Sequence, residues 1–185
     1  MSTSPTSPDL EQASKIPGSA SPEVKLLTSE WLTFISGSQT SFASSIANRL
    51  VLTAVDIRKK EEEQGREECR VVCEIGVAPD MLNGAGSIHG GCSAFLVDTC
   101  SSLPIAGLRK HKNNLVNMAV SQSINMVYHS PATEGDHLRI VSTTITVGAR
   151  VMSSRCEIWN QTHHRLVASG VHIKMEPSAP PTSKL

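Results

Sequence analysis

The apolar positions of this chain change their period along its length. Val24, Leu27, Trp31 and Ile35 recur at helical spacing, which marks one face of an amphipathic helix. Ser21-Pro22-Glu23 ahead of them has the chemistry of a helix start: a capping residue, a proline at the first helical position and an acid in the first turn. Gly37 supplies a stop. From Leu50 the period becomes two. Leu50, Leu52 and Ala54 alternate with Val51, Val55 and Ile57, and after the run KKEEEQGREE the residues Val71, Cys73, Ile75 and Val77 share a face. The charged run reads as a solvated hairpin tip. The segments LVNMAVSQSINMVY, HLRIVSTTITVG, ARVMSSRCEIWN and HRLVASGVHIKM are strand-like in the same way. Their connections, HSPATEGD and NQTHH among them, are short, which predicts antiparallel neighbours.

One segment fits neither pattern. Between Gly84 and Leu108 the only formal charge is Asp98 when His89 is neutral, and GSIHGGCSAFLVDTC opens a helix that is apolar nearly all round. Such a helix has to be buried on every side. A sheet of about six strands buries it by curling around it, so the expected class is α+β, a hot-dog fold with an antiparallel sheet wrapped around one central helix. Pro104 is expected to shorten or kink that helix. Residues 1–21, rich in Ser and Pro, are expected to be disordered; 22–176 form the domain; 177–185 are a flexible Pro-rich tail.

Composition narrows the function. A length of 185 residues suits one domain with tails. Lys+Arg 17 balance Asp+Glu 17, and aromatic residues make up 3%, so neither a basic footprint nor base stacking points to nucleic acid. The 5 cysteines, odd in number and irregularly spaced, are expected to be reduced thiols of an intracellular protein. No stretch reads as a signal peptide or as long enough to span a membrane, so no membrane partner is expected. The Asn160-Gln161-Thr162 sequon is accordingly expected to stay unglycosylated.

Two features can carry chemistry. His89-Gly90-Gly91 stands where the first N–H groups of the central helix lack intrahelical partners and the helix dipole is positive. The stretch fits a tight turn before a helix, and equally a donor site for an anion or a polarised carbonyl. It lacks the Gly-Lys-Ser/Thr ending of a phosphate loop and is not accompanied by a G-x-S-x-G nucleophile elbow. Cys69 and Cys73 lie four apart on a strand without a paired histidine motif, so no metal is expected, and no cofactor. Asp98 shares a helix face with the small residues Ala94, Ser101 and Ser102. A buried acid needs a partner or a proton; it is either a satisfied core hydrogen bond or a base that activates water.

These residues fall into a family pattern. Asn83, Gly86, His89-Gly90-Gly91 and Leu96-Val97-Asp98, followed by Ser121, Asn125, Tyr128 and Ser130-Pro131-Ala132, resemble the hot-dog acyl-CoA thioesterases of the phenylacetyl-CoA and thioesterase-superfamily-member type. The resemblance runs from about Phe42 to Met175. It implies that the Gly90 N–H, with Asn83 beside it, polarises a thioester carbonyl, and that Asp98 acts on a water held by Ser121. It implies that acyl-CoA is the substrate and lies near His89 and Gly91, with His89 shaping the helix start rather than transferring protons. CoA would follow Tyr128, His129, Ser130, Pro131, Ala132 and Thr133, then Thr146, Val147, Gly148, Ala149, Arg150 and Val151, with Met175 at a further contact. Arg150 is a candidate for a phosphate contact and equally a solvated surface charge. The resemblance also implies a homodimer or homotetramer whose sites are shared between subunits. A hot-dog protein that binds acyl-CoA without hydrolysing it is the alternative; the Asp/His signature of a hot-dog hydratase is not found. Substrate choice does not transfer, because small polar residues replace bulkier ones on some strands.

Ser183-Lys184-Leu185 matches the S-K-L address read by the peroxisomal import receptor, and the preceding SAPPT should leave it extended. A peroxisomal location is expected. Deleting these three residues removes the address and no core residue, so the truncated protein should remain in the cytosol with its activity intact. Fluorescence microscopy of the tagged, truncated chain checks this; import without the tripeptide would refute the address.

Overall fold

The computed structural model describes residues 7–114 and 119–177; the Ser183-Lys184-Leu185 address lies outside them. The helices α1 (Ser7–Ser14), α2 (Pro22–Ser36) and α3 (Ser44–Ala47) precede the strands β1 (Val51–Lys59) and β2 (Glu67–Gly76). The long helix α4 (Gly90–Asn113) follows, and then β3 (Val120–Tyr128), β4 (His137–Val147), β5 (Val151–Asn160) and β6 (Arg165–Met175). The six strands form one antiparallel sheet in the order β1-β2-β4-β5-β6-β3. Leu96, Val97, Cys100 and Leu103 of α4 are buried against Cys73, Leu138, Ile140, Cys156 and Ala168 of the sheet. This is the expected helix within a sheet.

Several expectations need correction. The chain before Ser21 is ordered from Ser7: α1 packs on α2, and Pro17 and Ala20 exchange backbone hydrogen bonds with Val55 at 2.9 and 3.2 Å. Composition missed this because the anchoring is by backbone, with Gly18 at φ 111 letting the segment approach β1. Ser21 stands at the N-cap of α2 but makes no side-chain capping bond, whereas Gly37 ends the helix at φ 68. Pro104 does not shorten α4, which runs on for nine residues to Asn113. By length and composition α4 could cross a membrane, contrary to the reading of the sequence, yet 67% of its apolar window is buried inside the protein. It is a core helix.

The connection HSPATEGD does not join neighbours. β3 pairs with β6, and β4 lies between β2 and β5. Short connections constrain strand direction, and β3 and β4 do run oppositely. Eight residues can still pass two intervening strands, because an extended chain covers about 3.4 Å per residue and strands lie about 4.8 Å apart. Asp136 pins the crossing, its Oδ2 accepting from the Thr133 N–H and from Asn160 Nδ2, both at 2.8 Å. The β1–β2 tip is solvated, with Lys60 and Arg66 paired to Glu63 at 2.6 and 3.3 Å.

A β-bulge sets the orientation of one candidate. Ser121 faces Lys174 across the β3–β6 pair while Ser123 faces Ile173, so one extra residue, Gln122, breaks the alternation. Ser121 therefore shares the α4 side with Lys174, and Ser123 lies on the opposite face. Strict alternation would put Ser121 and Ser123 on one face; the bulge separates them.

Candidate active site

The loop after a 3-10 turn (Pro79–Met81) carries Asn83, whose Oδ1 accepts from the N–H groups of Ala85 and Ser87 at 2.9 and 3.2 Å. The side-chain oxygen thus holds the turn, and the amide's remaining function is its NH2 donor. His89 is the N-cap of α4. Its Nδ1 accepts from the Gly91 N–H at 2.9 Å, so that donor serves the cap. Gly90 opens the helix beneath the Tyr128 ring, and the Tyr128 hydroxyl donates to the Gly90 carbonyl at 3.2 Å. Gly90, Tyr128, His129, Ser130 and Pro131 line a cavity of about 370 Å³ with Ile88. Ala132 and Thr133 do not line it. Ala132 is buried and accepts from the Ile88 N–H at 2.7 Å, and Thr133 is tied to Asp136.

Asp98 lies two helical turns further along α4. Its carboxylate is not buried as expected but 47% exposed within one chain. The Ser121 hydroxyl donates to its Oδ1 at 3.1 Å. Lys174 donates to Ser102 Oγ at 2.9 Å and to Ser121 Oγ at 3.4 Å, which leaves the Ser121 proton for the carboxylate. Burial lowers the Lys174 pKa, and Asp98 counters that by favouring the charged ammonium.

His172 is fully buried beside this group, its Nδ1 2.7 Å from Ser101 Oγ and its Nε2 3.5 Å from Asp98 Oδ1. Among the described residues Nε2 has no hydrogen-bond partner. Burial, reinforced by the Lys174 charge and opposed by Asp98, pushes the imidazole pKa down to about 4. The neutral ring is best placed with its proton on Nε2, toward the carboxylate, and Nδ1 accepting from Ser101. Neither His172 nor Lys174 was singled out from the sequence. The available signal was their alternation with Gly170 on the inward side of a strand otherwise apolar at that level.

The remaining candidates gather elsewhere. Val147, Gly148 and Ala149 line a cavity of about 330 Å³ with Lys112 and Asn113 at the far end of α4. Thr146 and Arg150 are exposed on the same turn, where the Arg150 carbonyl accepts from the Glu176 N–H at 2.8 Å. Met175 pairs with Val120 and Val151. Within one chain the two segments expected to follow CoA are therefore separated by the length of α4, roughly 35 Å at 1.5 Å per residue.

This arrangement can polarise a carbonyl at one point of α4 and accept a proton from water at another. Thiol nucleophiles are not offered: all five cysteines are buried and free, and burial raises Cys92, near Gly90, to about 11. Among the described residues no group of three or more His, Cys, Asp or Glu is placed to hold a metal ion.

Known proteins share this fold and part of this sequence. The family described as Thioesterase superfamily matches residues 85–167, the stretch from the loop before His89 to β6. Acyl-coenzyme A thioesterase 13 of Homo sapiens is 29% identical over 105 residues, covering 57% of this chain and 71% of that protein. Zebra fish Thioesterase Superfamily Member 2 superimposes with a TM-score of 0.59 at 22% identity, over 79% of this chain and 93% of that one. A hypothetical thioesterase of Streptococcus pneumoniae, solved with coenzyme A, gives a TM-score of 0.58 at 20% identity, over 82% and 98% of the two chains. The fold is thus the hot-dog fold, and residues 85–167 within it are similar to the Thioesterase superfamily.

The buried imidazole has a measurable consequence. His172 has an ordinary pKa of 6.5 when unfolded and about 4 when folded, so below pH 6.5 the unfolded chain binds a proton that the folded one refuses. Its contribution to stability is complete above pH 6.5 and is lost as the pH falls toward 4. The loss is on the order of 3 kcal/mol over that window. Urea unfolding of His172→Gln should show a shallower fall across the window; an unchanged slope would exclude His172 as its source.

Proposed function

We infer that this protein is an acyl-CoA thioesterase that hydrolyses acyl-CoA to a free acid and CoA. The observation that carries the reading is the Ser121 hydroxyl on the Asp98 carboxylate at 3.1 Å, at the edge of a cavity, in a fold and family segment of thioesterases. Further support comes from the relative named acyl-coenzyme A thioesterase 13 and from the coenzyme A-bound fold neighbour. In the proposed reaction the thioester oxygen lies at the Gly90 N–H and the Asn83 amide. Asp98 takes a proton from water, with Ser121 positioning that water, and the new C–O bond forms as the oxygen becomes an oxyanion. Collapse of the tetrahedral intermediate breaks the C–S bond and releases CoA, to which Asp98 returns the proton. Lys174 helps hold Ser121 in place, and His172 packs beside the carboxylate. The proposed location is the peroxisome, through Ser183-Lys184-Leu185.

Asp98→Asn keeps the shape and removes the base, so turnover should fall by roughly 10²–10⁴. Ser121→Ala should slow the reaction less, and rapid-quench mass spectrometry should find no acyl-enzyme. Near-normal hydrolysis by folded Asp98→Asn, or an acyl group on Ser121, would overturn the mechanism. A protein that binds acyl-CoA with no turnover in the unmutated form would be the binding module instead.

The proposed site is shared between two copies of the chain. Asp98 lies eight residues beyond Gly90, about 12 Å along the helix, whereas oxyanion donor and base must each reach reacting atoms at about 3 Å. A two-fold pair of α4 helices brings the start of one beside the middle of the other. The edge strand β3, with Val120, Val127 and Tyr128 exposed, is consistent with such a contact. Asn83→Ala and Asp98→Asn, each inactive alone, should regain about a quarter of the normal activity when unfolded together, mixed equally and refolded. No regain from mutants proven to exchange subunits would place the site within one chain.

A further inference from the structure

The cavity at Asp98 has a volume of about 140 Å³ and extends away from the carboxylate. Along α4 it is bordered by Asp98, Ser102, Ile105, Ala106 and Arg109, successive positions on one helix face. Asp98, Ser102, Ser121 and Lys174 are polar at one end, Ile105 and Ala106 form an apolar wall further on, and Arg109 closes the far end. Trp31 and Ile35 of α2 supply the facing wall. Arg109, 8% exposed and paired to Glu176 at 2.9 Å, stands at the far end. An acyl chain reaching that far would meet a charged pair in place of an apolar wall, so its last methylenes gain little apolar contact.

We propose that this cavity is the acyl pocket, that it selects acyl groups of about six carbons or a single phenyl ring, and that Trp31 sets the limit. The size follows from volume, since a cavity of about 150 Å³ accommodates benzene. The orientation follows from chemistry. A thioester attacked by water at Asp98 leaves its carbonyl at the polar end and sends its apolar substituent along Ile105 and Ala106 beneath Trp31. The proposal rests on the thioesterase reading of the same site and adds to it the substrate class. It also assigns a role to α2, which lies outside the segment matched by the family.

The test is kcat/KM for straight-chain acyl-CoAs from butanoyl to hexadecanoyl, together with phenylacetyl-CoA, on the full chain. For the unmutated protein kcat/KM should rise roughly fourfold per methylene up to about six carbons and then decline. Trp31→Ala should raise the dodecanoyl-to-hexanoyl ratio at least about tenfold. Ala106→Leu fills the pocket from α4 and should lower the hexanoyl-to-butanoyl ratio by about tenfold. Because the two substitutions lie on different helices and act in opposite directions, a general loss of stability cannot mimic both. An optimum at long chains, or one unmoved by either substitution, would overturn the pocket while leaving hydrolysis standing. Absence of hydrolysis for every thioester would overturn the thioesterase reading and the pocket with it.

Discussion

The structure depends on burying a helix that is apolar nearly all round yet carries a carboxylate halfway along. Leu96, Val97, Cys100 and Leu103 require contact with the sheet, while Asp98 requires polar partners at one level only. The sheet meets both demands by placing β6 and β3 side by side. Gly170 lets β6 approach α4 closely, for a Cβ there would lie 3.0 Å from Val97 Cγ1. On the same inward row stand His172 and Lys174, with Ser121 beside them on β3. His172, Lys174 and Ser121 thus stand together where the helix has its charge.

This concentration has electrostatic consequences. The hydroxyl between Lys174 and Asp98 has a single good direction for its proton, toward the carboxylate. The cost falls on His172, which is kept neutral by burial. Reactive oxygen groups are therefore available at the surface of the core, while the thiols around them are held protonated.

The ends of α4 serve different purposes. Its start combines the capped Gly91 N–H, the Gly90 backbone and the Tyr128 ring above an open cavity, and its far end forms another with the β4–β5 turn. A single copy leaves these features apart, and the proposed two-fold arrangement would bring them onto one substrate. In the proposed reaction the middle of the helix then supplies the base, and α2 bounds the substituent.

Much of this was legible in the residues. The spacing of Val24 to Ile35, the alternation of the strand segments and the lone charge of the central stretch specified α2, the strands and the buried helix, because periodicity is a local property that each segment carries alone. His89-Gly90-Gly91 and Asp98 could be named as candidates from their local chemistry, and Ser121 from the resemblance of its motif to the thioesterases. Strand order could not be read. The HSPATEGD turn constrains direction but not adjacency, and pairing β3 with β6 depends on contacts distant in sequence. The bulge at Gln122, which separates Ser121 from Ser123, arises only when β3 meets β6. His172 and Lys174 became part of the site because that pairing sets their row against Asp98, and the ordered segment before Ser21 is held by backbone bonds to β1 that leave no trace in composition. Sequence by itself determined which residues had to be buried and which chemistry they carried; the tertiary structure decided which of them meet, because meeting is a matter of pairing between segments and not of pattern within one.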